Sequence, residues 1–143
     1  MRTLREEIIA CVEGQVRPLE AKGPQSQPIA IGSPNQGCEL TFRPGDDFIG
    51  FRGHFPGHPV LPAFVQLLMA ECAVRLHSPA PVSLRRVERG KFLRPIGPNE
   101  PVTVCWQEQP RDGGLRCSFT LRVGAERAAV FALEFATEES PHA

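Results

Sequence analysis

The chain lacks a net charge, since sixteen basic residues balance sixteen acidic ones. That removes the global electrostatic field expected of a protein that grips nucleic acid or an anionic membrane surface, and neither partner is expected. It also lacks any C-x-x-C pair. The five cysteines, Cys11, Cys38, Cys72, Cys105 and Cys117, are odd in number and widely scattered. A zinc cluster is therefore not indicated, and a disulfide framework has little support. Reduced, mostly buried thiols in a cytosolic protein are the expectation. No apolar run approaches the roughly 20 residues needed to span a bilayer. The opening MRTLREEIIACVEG has no signal-peptide h-region, so the cytoplasm is the expected compartment. Internal repeats and linkers are missing too, so the 143 residues read as one domain. That length closes a single core without metal or disulfide staples.

What is present is patterned. TLREEIIACVEG reads as a short amphipathic helix within residues 1–14, with Leu4, Ile8, Cys11 and Val12 on one face. Thr3 and Glu6 stand at capping-box spacing, and Gly14 is a plausible stop. Four prolines and three glycines between Arg17 and Gly37 exclude regular helix there, and QPIAIG reads as a short edge strand. In CELTFRP, Cys38, Leu40 and Phe42 alternate with Glu39, Thr41 and Arg43, a half-buried strand. A helix that is apolar nearly all round follows from about Pro62 to His77, and such a helix must be buried on most sides. Beyond Pro81 the pattern is strand, with RDGG and GAER as hairpin turns and a basic run, SLRRVERGKFLRPI, ahead of them. Residues 138–143 read as a frayed tail. The order is α+β, an antiparallel sheet curling around one long buried helix.

One loop carries chemistry. GHFPGHPVLP, Gly53 to Pro62, holds three prolines, two glycines and two histidines directly before the apolar helix. An imidazole with an ordinary pKa of about 6.5 serves as a base near neutral pH. Proline and glycine hold it in place, which is preorganisation. The N-terminus of the next helix offers unpaired N–H groups and a positive dipole end to an oxygen that gains charge, and the buried helix with its sheet supplies an apolar tunnel.

The stretch Gly53–Pro62 and the later GKFLRPIGPNEPVTV resemble the hotdog-fold β-hydroxyacyl-[acyl carrier protein] dehydratases, over roughly residues 38 to 135. PVLP…VQL is closer in wording to dehydratase-like members of secondary, polyene-type pathways. The resemblance implies a homodimer or higher homo-oligomer with sites at the subunit interface. It also implies an acyl carrier protein or coenzyme A thioester as substrate, and no cofactor. By that resemblance His54 is the catalytic base and Gly57 shapes the turn. The amide near Ala63 helps to polarise the thioester carbonyl, and Pro62, Phe64, Gln66 and Leu68 belong to the substrate side.

The chain departs from the family at two places. The family's helix acid stands fourteen residues after the histidine, where this sequence has Leu68, and glycine is usual where Ala63 stands. Glu71 is the helix's one acid, on the same face as position 68 but about 4.5 Å further along the axis. Three readings stay open: Glu71 as a displaced acid, Glu71 paired with Arg75 at i+4 spacing, or Gln66 (or a water on it) orienting a hydroxyl. A hotdog thioesterase using Glu71 to activate water, and a non-catalytic acyl-binding or structural partner subunit, are the rival functions.

The remaining candidates have plainer roles. His58 is not placed as a metal partner of His54, because Pro56, Gly57 and Pro59 forbid a helix, and no metal is expected. His77 suits a helix C-terminus, Cys72 reads as packing, and Trp106 as core or interface. Arg85, Arg86, Arg89, Lys91 and Arg94 form either a solvated strand face or a docking surface for an acidic carrier protein or coenzyme A phosphates.

Overall fold

The structure is a computed structural model that describes residues 2–19, 37–51 and 59–137. His54, Gly57 and His58, the strand expected at QPIAIG and the 138–143 tail lie outside the described residues. The elements are α1 (Leu4–Ala10), β1 (Val12–Pro18), β2 (Gly37–Phe42), a 3₁₀ turn (Ile49–Phe51), α2 (Ala63–His77), β3 (Val82–Phe92), β4 (Val102–Arg111), β5 (Gly114–Val123) and β6 (Glu126–Thr137).

Among the described residues the strands form a six-stranded sheet in the order β1-β2-β4-β5-β6-β3, and every neighbouring pair is antiparallel. The turns are those the sequence marks: Gly113 and Gly124 hold φ of 71° and 61°, where side chains other than glycine are strained. Trp106 faces Phe119 and Phe119 faces Phe131 across three adjacent strands, stacked at 6.2 Å and 5.3 Å between ring centroids. Such cross-strand pairs pin the register.

α2 lies against this aromatic face. Six successive residues, Met69 to Val74, are buried, more than one full turn, so the helix is enclosed on every side at its middle. Val65, Met69 and Ala73 share one core with Leu40, Phe42, Val104, Leu121 and Leu133 of the sheet. Each fully buried large apolar side chain in this core contributes about 1.5–3 kcal/mol. No helix of the described residues is long and apolar enough to cross a membrane.

The N-terminal helix is shorter than its pattern suggests. Thr3 caps it as expected, its side chain accepting from the Glu6 amide at 3.1 Å. The helix nevertheless ends at Ala10, and Val12 opens β1. Gly14 (φ 79°) is then no helix stop: it sits where the β1–β2 register shifts between Glu13 and Arg17. Val12 and Val16 are the half-buried residues of that strand. Pairing with β2 overrides the helical period, because a neighbouring strand satisfies the backbone groups that a last helical turn leaves unpaired.

Candidate active site

Pro59 stands four residues ahead of the start of α2. Leu61 donates its amide to the Ile96 carbonyl at 2.8 Å, tying this segment to the connection after β3. That connection is itself braced. Asn99 holds a left-handed φ of 64° and donates its amide to the Pro44 carbonyl, its side chain donates to Asp46 at 2.9 Å, and Arg94 meets Glu100 at 3.0 Å.

Between the two segments lies a cleft of about 490 Å³. Val60, Leu61, Pro62, Ala63, Phe64 and Gln66 form one wall, and Phe92, Leu93, Arg94 and Pro95 the other. Pro62 caps α2 with extended backbone (φ −63°, ψ 153°) and has no side-chain bond to offer the first turn. The Ala63 and Phe64 amides fall ahead of the intrahelical ladder, which begins with Val65 and Gln66 donating to the Pro62 carbonyl. An apolar cleft thus ends against the positive pole of a fifteen-residue helix.

Of the residues singled out from the sequence, Pro62, Ala63, Phe64 and Gln66 come together in this cleft. Leu68 packs, half-buried, against the core. Glu71 is 2% exposed, and both of its oxygens are engaged: Oε1 by Arg5 of α1 at 3.0 Å and Oε2 by Arg75 at 3.2 Å. Arg75 fits the i+4 pairing open to Glu71 in the sequence; Arg5, sixty-six residues away, has no local signal. Arg94, read with the basic run, also binds Glu100 and Glu126. Arg85, Arg86 and Lys91 are exposed on β3.

The thiols and the isolated histidine have structural surroundings. Burial, with the Glu71 carboxylate beside it, pushes the Cys72 thiol up to about 11. A thiol so far from its thiolate is no nucleophile at neutral pH. Burial likewise raises Cys38 and Cys117. His77 ends α2 with Nε2 3.6 Å from the Cys38 sulfur and its ring edge-on to Trp106. Trp106 is buried in the core. No group of three metal-ligating side chains occurs among the described residues.

An antiparallel sheet packed on one buried helix, with a cleft at that helix's N-terminus, defines a hotdog-fold protein of the type that dehydratases and thioesterases of acyl thioesters share. The sequence profile described as ApeI dehydratase matches residues 31–132, more than half of the chain, and the protein belongs to this ApeI-like family. Among curated proteins no sequence relative matches. Among solved structures, the dehydratase heterocomplex ApeI:P from Xenorhabdus doucetiae is similar at TM-score 0.60 and 18% identity, over 84% of this chain and 98% of that one. R-hydratase PhaJ1 from Pseudomonas aeruginosa aligns at TM-score 0.62 and 12% identity over 74% and 82%. A hypothetical thioesterase with coenzyme A from Streptococcus pneumoniae aligns at 0.63 and 4% over 96% and 95%. At such identities these likenesses concern the fold.

Proposed function

We propose that the protein removes water from 3-hydroxyacyl groups carried as thioesters on an acyl carrier protein, giving the trans-2-enoyl thioester. The observation that carries this reading is the cleft at the start of α2, whose first lining residue, Val60, stands six residues after His54 in a chain whose family profile spans both. The thioester oxygen lies at the Ala63 and Phe64 amides, where the enolate charge that develops is stabilised. His54 takes a proton from C2. As the C2–C3 double bond forms, the C3–O bond breaks, and the departing oxygen leaves as water with the proton that the imidazolium returns.

This one-base cycle assigns no proton transfer to Glu71. Its two arginine partners and its burial favour a structural ion pair over a displaced acid or a water-activating base. Exposed Arg85, Arg86 and Lys91 support docking of an acidic carrier protein. The reading includes a homodimer: β3 has β6 as its one strand neighbour among the described residues, and Val87, Phe92 and Leu93 on or beside it are about half exposed.

The test is a mass-resolved assay of purified protein with a 3-hydroxyacyl carrier protein. Loss of one water by the wild type, abolished in His54→Ala and kept in Glu71→Gln, is the expected result. Release of free acid instead would establish a thioesterase. Saturable binding without turnover would make this a partner subunit rather than an enzyme.

A further inference from the structure

Gln66 carries a buried polar atom that no described residue partners. The residue is 3% exposed, in the first turn of α2, and lines the cleft. Its Nε2 donates to the Leu61 carbonyl at 3.2 Å, while Oε1 is shut off from bulk solvent and has no hydrogen-bond partner among the described residues. Turning the amide over does not relieve this. Oε1 would then face the Leu61 carbonyl, acceptor against acceptor, and Leu61 is fixed by the hydrogen bond its own amide donates to the Ile96 carbonyl. The orientation is therefore set, and the group left over accepts hydrogen bonds only.

A buried acceptor without a donor is costly, and folded proteins keep few of them. A donor brought by the ligand removes that cost. The cleft around Gln66 is lined mostly by apolar side chains, Val60, Leu61, Phe64, Phe92 and Leu93 among them, with Arg94 as its one charged residue. Such a lining suits an acyl chain better than the amide-rich pantetheine arm, whose several polar groups would go unpaired. Close to the thioester, the acyl part offers one donor, the hydroxyl on C3. We propose that Gln66 is a specificity-determining residue whose Oε1 accepts the hydrogen bond of the substrate's 3-hydroxyl, so that the cleft prefers hydroxylated over saturated acyl groups.

The inference rests on the acyl-thioester reading and is tested apart from turnover. The probes are a 3-hydroxyacyl-pantetheine and its saturated counterpart, each with an amide in place of the thioester so that neither is consumed. Wild-type protein is expected to bind the hydroxylated probe roughly fivefold more tightly or better. Gln66→Met, similar in length but without the acceptor, removes the preference, and Gln66→Glu, which keeps an acceptor, retains it. Equal affinity for both probes in the wild type, a comparison that needs no variant, overturns the role of Gln66 and leaves the thioester reading standing. So does a preference undiminished in Gln66→Met. Binding of neither probe overturns both.

Discussion

Arg5 and Glu71 join the two helices: the guanidinium of one stands 3.0 Å from the buried carboxylate of the other, and Arg75 meets the second oxygen at 3.2 Å. The partnership is lopsided, because Glu71 is 2% exposed while the arginines are 53% and 46% exposed. A carboxylate in that position needs its cations far more than they need it.

Removal of the two sides therefore has unequal consequences. The Arg5→Met/Arg75→Met double variant leaves a buried charge unpaired and is expected to lose about 3 kcal/mol. Glu71→Gln returns two arginines to water and is expected to lose about 1–2 kcal/mol. Urea unfolding measures both, and equal losses would refute the asymmetry.

The thiols predict a falling alkaline limb. Cys72 keeps its proton in the folded state up to about 11, against 9.0 ordinarily. The unfolded chain releases that proton first, so stability declines as pH rises from about 9 to about 11. Burial acts on Cys117 in the same direction. A Cys72→Ala/Cys117→Ala variant should flatten that limb in pH-dependent thermal melts. In the native protein at pH 8, alkylation should spare Cys72 and Cys117 until denaturant is added.

The β3 edge predicts an assembly that charge can break. Val87 and Phe92 are 49% and 45% exposed on a strand with one strand neighbour among the described residues, and such an edge invites a second strand. Sedimentation of the wild type should give a dimer, and Val87→Lys/Phe92→Glu a folded monomer. A wild-type monomer at micromolar concentration would remove the dimer from the proposal.

Gly114 and Gly124 separate two reasons for glycine. A Cβ on Gly114 would fall onto the Phe135 carbonyl oxygen of β6, which is backbone and cannot swing away. Gly114→Ala is thus expected to lose about 1–3 kcal/mol. Gly124 has open space but φ of 61°, so Gly124→Ala should lose about 1 kcal/mol. Thermal melts that rank them the other way would contradict the close approach.

Local chemistry made much of this protein legible in its sequence. The period-two run from Leu115 to Val123 became β5, the apolar stretch became α2 within one residue of its expected start, and the two glycine turns fell where the hairpins needed them. Those features depend on backbone preference and on burial of one face, both of which repeat along the chain. The loop motif likewise pointed to the family because its residues are contiguous. Tertiary structure decided the rest. Val12 and Gly14 joined a strand only because β2 lies beside them, and the pairing of Glu71 with Arg5 spans sixty-six residues. The stranded oxygen of Gln66 exists because Leu61 and Ile96 fix its amide from outside the helix. Hydrogen bonds and charges act over a few ångströms of space, and distance along the chain does not report them.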